Sequence, residues 1–361
     1  MKFTVQKANI ISAMDIAVRA IPSKTTSPVL YDFKIEVKDM EGVITSNDMS
    51  TAIKTRFTCM AEEPGEMCIS AKTIMQAIKK MGSKADISFA TEGNKVIVTG
   101  GKARYEFPIE DVSQYPDIPK VDDTTSFTVN ADRFRAMIDG VAFSVGQNSS
   151  NKVCTAINMK ISKGSLLLVS TDMSRVSIRK SGISCTENVN VNVPSKAMIE
   201  LSKSLNGGDL QIETTKYHVR FTFGNTMMVA RLVDGNFFNT DNLYKNKPAI
   251  NVKVDTKELS ESIDRAMVIV NQDKIPIILD IKDNSMAISL KTNISNFDEE
   301  IICEKSGADI RIGLNPAYVL EALRAAGVDT VSIGMHNALS PIFIEDDVAD
   351  EYSYVVLPIN I

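Results

Sequence analysis

The sequence predicts an α+β protein made of three copies of one unit, each an antiparallel sheet carrying two helices. Three observations predict it. A strand motif recurs about every 125 residues, as Phe3-Thr4-Val5, Phe127-Thr128-Val129 and Val252-Lys253-Val254. Each copy is followed by apolar residues at steps of three and four, the period of a helix. Each unit then alternates apolar and polar residues through several strands and inserts a second helix among them.

The first helix of each unit is carried by Ile10, Met14, Ala17 and Ile21, by Phe134, Met137, Ile138 and Val141, and by Leu259, Ile263, Ala266 and Met267. Asp255 with Glu258 reads as a capping box for the third of these. The second helices are expected at 71–81, 195–205 and 316–326. Each ends beside a glycine (Gly82, Gly207, Gly327), which suits a left-handed cap. Asn315-Pro316 supplies an N-cap and a proline at the first helical position. Between the helices, Ile44-Thr45-Ser46-Asn47-Asp48-Met49 is matched by Val169-Ser170-Thr171-Asp172-Met173 and more loosely by Met286-Ala287-Ile288-Ser289-Leu290. Each unit closes with two more strands, at 89–99 and 104–109, at 211–223 and 227–232, and at 330–335 and 342–344 with the tail. Polar, turn-rich connectors at 119–126 and 239–249 give domains of 1–122, 123–246 and 247–361.

Composition limits the function. With 44% hydrophobic and 24% charged residues, the chain is an ordinary globular protein. No run approaches the roughly 18–20 apolar residues that span a bilayer, so no membrane partner is expected. The five cysteines (59, 68, 154, 185, 303) lack metal spacing and read as free thiols of a cytoplasmic protein. Two histidines, His218 and His336, leave little for a metal site or a catalytic triad. Neither cofactor nor metal is expected. The repeated Asp48 and Asp172 are the only candidates for an enzyme; Asp at a strand end more often bonds nearby backbone. A net charge of −5 argues against a generic basic nucleic-acid binder. Yet basic residues recur on equivalent helices: Lys7, Arg19, Lys72, Lys79 and Lys80, then Arg133, Arg135, Lys196 and Lys203, then Lys257, Arg265 and Arg324. Each is ordinarily a solvated face. Arranged in an arc, they would form one positive surface that meets phosphates without reading bases. The final run Tyr354-Val355-Val356-Leu357-Pro358-Ile359-Asn360-Ile361 is apolar where chain ends are usually polar and frayed. It reads either as an edge strand or as one wall of a groove that receives another protein.

Over its whole length the sequence resembles the bacterial DNA polymerase III sliding-clamp (beta-subunit) family. The resemblance rests on Met1-Lys2-Phe3-Thr4-Val5, Ser27-Pro28-Val29-Leu30, Ser170-Thr171-Asp172, Val193-Pro194-Ser195-Lys196, Leu232-Val233-Asp234-Gly235, Ile344-Glu345-Asp346 and Tyr354-Val355-Val356-Leu357-Pro358, in order and with the triple repeat. It implies the DNA clamp fold and a head-to-tail homodimer closed into a ring around double-stranded DNA, held without sequence specificity. It implies a non-catalytic processivity factor that tethers the polymerase III alpha subunit, a clamp loader, other polymerases and repair proteins through short peptide motifs. A specialised second clamp with altered partners is the alternative.

Carried across position by position, the resemblance places the peptide pocket between the second and third repeats. Its walls would be Cys154, Thr171, Met173, Ser174, Arg175, Val176, Phe238, Asn242, Leu243, Leu339, Pro341, Val356, Leu357, Pro358 and Ile359, with Arg175 orienting the loop or bonding a peptide carbonyl. The DNA-facing set would be Lys24 and Lys152 on loops with Lys72, Lys79, Arg133, Arg135, Lys196, Lys203 and Arg265. The subunit interface would set Tyr105 and Phe107 against Val268 and Ile269. The chain departs from the family pattern at the pocket. Met173-Ser174 stands where the family has Gly-His, Phe238-Asn239-Thr240 where it has Pro-Asp-Tyr, and Asn242 and Asn360 where it has arginine. A less basic, differently shaped pocket is therefore expected.

Overall fold

The computed structural model describes every residue except 83–85, 123, 148, 241–246, 271–274 and 346–350. The first repeat runs β1 (Lys2–Gln6), α1 (Lys7–Ala17), β2 (Asp32–Lys38), β3 (Glu41–Asn47), β4 (Thr51–Thr58), β5 (Met60–Glu63), β6 (Gly65–Ser70), α2 (Ala71–Lys80), β7 (Asp86–Glu92), β8 (Lys95–Gly100) and β9 (Ala103–Pro108). The second runs β10 (Thr125–Asn130), α3 (Ala131–Ala142), β11 (Ala156–Ser162), β12 (Ser165–Thr171), β13 (Arg175–Gly182), β14 (Val189–Pro194), α4 (Ser195–Ser204), β15 (Asp209–Thr214), β16 (His218–Phe223) and β17 (Thr226–Arg231). The third runs β18 (Ile250–Asp255), α5 (Thr256–Met267), β19 (Ile277–Lys282), β20 (Ser285–Lys291), β21 (Asn296–Ile302), β22 (Glu304–Ser306), β23 (Ile310–Leu314), α6 (Pro316–Ala326), β24 (Thr330–Met335), β25 (Ile342–Glu345) and β26 (Tyr352–Val356).

The strand–helix–strands–helix–strands order repeats as expected. The closing strands number three rather than two in each repeat: residues 89–99 and 211–223 each fold back on a left-handed turn or loop and form antiparallel pairs, β7 with β8 and β15 with β16. The buried positions change phase across each hairpin, from Ile87 and Phe89 to Val96 and Val98 and from Leu210 and Ile212 to Val219 and Phe221, and that change of phase marks the turn, with Gly93 at φ 60° in the first.

Contacts group the chain into two compact units, Met1–Phe134 with Glu200–Leu232, and Arg135–Ile199 with Val233–Ile361. The first unit holds a five-stranded sheet, β5-β1-β7-β8-β9, and an eight-stranded sheet, β10-β15-β16-β17-β4-β3-β2-β6. The second holds a nine-stranded sheet, β14-β11-β12-β13-β26-β25-β24-β18-β22, and a four-stranded sheet, β21-β20-β19-β23. The middle repeat thus gives one set of strands to each unit. It does so by antiparallel pairing of β17 with β4 and of β13 with β26.

The helices form because their apolar stripes have a sheet to cover. In α2, Ala71, Ile74, Met75, Ala77 and Ile78 are buried, while Lys72, Thr73, Gln76, Lys79 and Lys80 face water. The core beneath α1 and α2 stacks Phe3 on Phe89 with ring centroids 4.5 Å apart. The second unit's core gathers Leu259, Ile263, Ile288, Leu320 and Leu323 between α5, α6 and their sheets. The capping expectations divide. Asp255 accepts from the Glu258 N–H at 2.8 Å, and Asn315 accepts from the amides of Ala317 and Tyr318. Gly327 takes the left-handed cap of α6 (φ 67°). Gly82 does not cap α2, and Gly207 lies beyond the end of α4. At α2 the Lys7 ammonium replaces a glycine cap, donating to the carbonyls of Lys79 and Met81 at 3.0 and 2.6 Å.

One buried group works against this packing. Asp32, 7% exposed, leaves Oδ2 without a hydrogen-bond partner beside the cluster of Val29, Leu30, Cys68 and Tyr115. Burial, and then the nearby Glu110, pushes its carboxyl up to about 6. An unfolded aspartate titrates near pH 3.9, so the folded chain holds this proton more tightly. Stability therefore falls as pH rises from about 4 to about 6 and is level above. Asp32→Asn is expected to flatten that segment and to stabilise the first unit at pH 7.5 by on the order of 1 kcal/mol. Thermal unfolding of both proteins at pH 4.5 and 7.5 measures it, and an identical pH slope in the variant contradicts it.

Candidate functional site

The candidate site lies in the second unit, at one end of the nine-stranded sheet. It starts with the turn between β12 and β13. Ser170 and Thr171 are buried. The Ser170 hydroxyl donates to the Val141 carbonyl at the end of α3, tying the strand to the helix. Thr171 donates to the Arg175 carbonyl at 2.7 Å and accepts from the Met173 amide at 3.0 Å. Asp172 Oδ1 accepts from the amides of Ser174 and Arg175 at 3.0 and 3.1 Å. These bonds force a tight turn, and Met173 is left at its tip in the left-handed region (φ 74°), 64% exposed. A side chain there costs roughly 1–2 kcal/mol where glycine would cost little. The first repeat makes the same turn: Ser46 donates to the Ala17 carbonyl at 2.5 Å, Asp48 accepts from Ser50 and Thr51, and Met49 sits at φ 71°. Asp48 and Asp172 are thus turn-formers, which accounts for their recurrence without chemistry.

Arg175 is the structural centre of the site. The resemblance implies that it orients the loop or bonds a peptide carbonyl. It is only 8% exposed. Its Nε donates to Asp172 at 3.0 Å, Nη1 pairs with Glu321 of α6, and Nη2 donates to the Phe143 carbonyl at 2.5 Å. The guanidinium lies 4.2 Å from the Tyr318 ring centre and 5.3 Å from that of Phe143. It does orient the loop, and its donors are taken up within the unit.

The chain's last strand supplies the opposite wall. β26 pairs with β13 so that Val356 stands opposite Arg175, and the Leu357 amide donates to the Ser174 carbonyl at 3.0 Å. The tail then crosses to the four-stranded sheet, where Ile359 bridges to Gly313 with an N–H···O distance of 2.8 Å. A Cβ on Gly313 would meet Ile361 at 2.3 Å and the Ile359 carbonyl at 2.8 Å, so the close approach requires glycine. The apolar tail is therefore both tied down and partly exposed: Leu357 is 43% exposed, with Pro358 and Ile359 half-buried.

The expected pocket residues sort into four groups. Met173, Ser174, Leu339 and Leu357 are exposed at this sheet end, with Val176, Pro341, Pro358 and Ile359 half-buried among them. Cys154, Thr171, Arg175 and Val356 are buried, so they support the surface rather than present one. Asn242 and Leu243 fall outside the described residues. Phe238 meets the Phe237 ring at a tilt of 36° and lines a separate cleft of about 250 Å³ with Asn158, Lys160, Leu167, Val169 and Asn190. Sequence reasoning missed what holds that segment. Asn192 donates to the carbonyls of Val233 and Gly235, and accepts from Asn158. An asparagine in a strand, flanked by valines, was the signal.

The expected DNA-facing cations divide too. Lys79 pairs with Asp15 at 2.8 Å, Lys203 with Glu200 at 2.9 Å, and Arg265 with Glu299 at 2.6 Å. Arg265, and then Ser262, hold the Glu299 carboxyl below the usual range. Lys24, Lys72, Arg135 and Lys152 are exposed, and no ion pair engages them among the described residues; Arg133 and Lys196 are exposed and have other interactions. Tyr105 and Phe107 stack at 5.6 Å on β9, the last strand of its sheet, and are half-buried. Val268 is 80% exposed just past α5, with Ile269 half-buried beside it. Among the described residues no group of His, Cys, Asp or Glu could hold a metal ion, and no helix is long and apolar enough to cross a membrane.

A strand–helix–strands–helix–strands unit repeated three times, with its strands shared between sheets of successive repeats, is the architecture of a DNA clamp. Comparison with known proteins agrees. Family models for the N-terminal, central and C-terminal domains of the DNA polymerase III beta subunit match residues 1–119, 128–239 and 244–360. The beta sliding clamp of Bacillus subtilis is 25% identical over 377 aligned residues, covering both chains completely. That of Staphylococcus aureus is 26% identical over 375, covering all of this chain and 99% of the other. The crystal structure of a DNA polymerase III beta subunit, described as putative, from Eubacterium rectale is 31% identical, with a TM-score of 0.96 and complete coverage of both chains. The chain belongs to the DNA polymerase III beta-subunit family of sliding clamps, proteins of DNA replication.

Arg175→Ala would leave Asp172, Glu321 and the Phe143 carbonyl without their donor. A loss of about 1–2 kcal/mol is expected, from the hydrogen bonds of a buried guanidinium whose carboxylate partners remain partly exposed. Arg175→Lys should recover only a small part, because one ammonium cannot reproduce the fork. Denaturant melts of the three proteins measure this; a loss under about 0.5 kcal/mol for Arg175→Ala would place the guanidinium on the surface after all.

Proposed function

We propose that two copies of the chain close head to tail into a ring around duplex DNA and hold polymerases on it. The observation that carries the reading is the match of three clamp-domain models, in order and over nearly the whole chain. On this reading each repeat is one clamp domain, at 1–122, 123–246 and 247–361. The chain acts in the cytoplasm, without catalysis. A ring is retained by topology, so its DNA contacts can be weak and water-mediated, which leaves it free to slide. Lys24, Lys72, Lys79, Arg133, Arg135, Lys152, Lys196, Lys203 and Arg265 would face the phosphates.

The subunit contact would use β9 of one copy and the third repeat of the other. β9 and β21 each end a sheet and leave one row of N–H and C=O groups unpaired. Tyr105 and Phe107 on one side, with Val268 and Ile269 on the other, supply the apolar core such a contact needs. Tyr105→Glu is expected to halve the solution mass to 39.6 kDa, read by light scattering; an unchanged dimer mass rejects this interface.

The surface formed by Met173, Leu339, Leu357 and Pro358 would take the short apolar motifs of the polymerase III alpha subunit, the clamp loader, other polymerases and repair proteins. Exposed apolar side chains beside a few polar anchors favour that use. The test of the ring is retention on nicked circular DNA after loading. The protein is expected to stay on the circle and to run off once the circle is cut. Equal loss from both forms, or equal retention, rejects a topological link.

A further inference from the structure

The first unit contains a second copy of the sheet-end surface just described. The pairing of β17 with β4 repeats that of β26 with β13. Ala230 stands opposite Thr51 as Val356 stands opposite Arg175. The Arg231 amide donates to the Ser50 carbonyl at 2.9 Å, as the Leu357 amide does to Ser174. Arg231 therefore occupies the place of Leu357, and Leu232 that of Pro358. Met49 matches Met173 in position, in φ and in exposure, at 66% against 64%. The next turn of the sheet, between β15 and β16, presents Tyr217 (56% exposed), as the turn between β24 and β25 presents Leu339. The Leu232 amide donates to the Tyr217 carbonyl at 2.8 Å, which fixes Tyr217 beside the strand end. Met49 and Tyr217 thus stand about two strand spacings apart, on the order of 10 Å, a span that two neighbouring peptide side chains can bridge.

The two copies differ in charge. Where the second unit has Leu357, the first has Arg231, exposed and without a hydrogen bond or ion pair to its guanidinium among the described residues. Lys216 lies 5.2 Å from the Tyr217 ring centre and adds a second cation. Exposed apolar side chains clustered beside free positive charge mark an interaction surface rather than a solvated turn.

We infer that Met49, Tyr217, Arg231 and Leu232 form a second docking surface, for an extended peptide that sets a carboxylate beside apolar anchors. The inference rests on the peptide-binding reading of the equivalent surface in the second unit. A carboxylate would pair with Arg231, while the anchors cover Met49 and Tyr217. Each chain would then hold two segments of different charge preference, the acidic one on the first unit.

The two methionines permit a test in one sample. The chain, its 17 methionines labelled with ¹³C in the terminal methyl, is titrated with the capped tripeptide acetyl-Asp-Leu-Phe-amide and followed by NMR. Met49→Leu and Met173→Leu assign the two signals. Both methyls are expected to shift, each along its own saturation curve. Acetyl-Lys-Leu-Phe-amide should weaken the Met49 curve at least fivefold and the Met173 curve less than twofold. Arg231→Glu, with an unchanged methyl spectrum elsewhere as the check on folding, should abolish the preference for the acidic peptide at Met49. A Met49 signal that stays in place overturns the inference, whether or not Met173 moves. Equal curves for the two peptides at Met49 overturn it as well. A shift at Met49 alone upholds it and rejects the second-unit surface instead.

Discussion

The rest of the structure depends on the hydrogen bonds that join strands of successive repeats. β4 with β17 and β13 with β26 are antiparallel ladders between segments more than 170 residues apart in sequence. Each turns two short sheets into one long one and so removes two edges that would otherwise seek a partner. Each also fixes the register of whatever follows the strand. Because Val356 is locked opposite Arg175, the next residue must cross the mouth of the β12–β13 turn, and the tail arrives beside Met173 rather than elsewhere. A slip of one residue would exchange the two faces of β26, both of them buried, and so unseat Tyr352, Tyr354 and Val356 from the core they pack in. The surface at the sheet end is therefore a consequence of ladder register, with few contacts of its own.

Much of this was legible in the sequence, and for physical reasons. The recurrent Ser-Asn/Thr-Asp-Met turn could be seen because its side chains bond local backbone, and local bonding leaves a fixed spacing. The six helices were legible because an apolar stripe has a period of its own. The ladders between repeats were not. β17 and β26 are buried along almost their whole length, as any strand covered on both faces is, and nothing in Met227–Arg231 or Tyr352–Val356 names its partner. The burial of Arg175 was not legible for a related reason. An arginine next to an aspartate is usually a surface pair; only the fold brings Glu321, Tyr318 and the Phe143 carbonyl to it. Gly82 misled in the opposite sense, since the helix end it follows is satisfied from another element, by Lys7.

Methionine at both left-handed turn tips presents a balance of forces. The turn would be relaxed with glycine, yet the chain keeps a large apolar side chain at Met49 and Met173. Neither is compensated by burial, since both are mostly exposed. Strain of this kind persists when the surrounding bonds over-determine the backbone, and here the Asp48 and Asp172 carboxylates do so. What the exposed thioether offers is adaptable contact area, because its unbranched chain fits partners of varied shape.

Charge is arranged with similar economy. On the ring reading, a channel that bound phosphate tightly would stall, and one that repelled it would not load. Several helix cations stand in ion pairs, with Asp15, Glu200 and Glu299 as partners. Exposed pairs of this sort are worth about 1 kcal/mol or less each. A passing phosphate would exchange with the carboxylate at little cost and be released as cheaply. Counterion release from DNA would then supply the attraction, and the paired acids would set its limit. Lys24, Lys72, Arg135 and Lys152, without such acids among the described residues, would carry most of the salt dependence. On that reading an acidic chain would hold DNA loosely, because few of its cations are unpaired among the described residues and the others are balanced locally by acids.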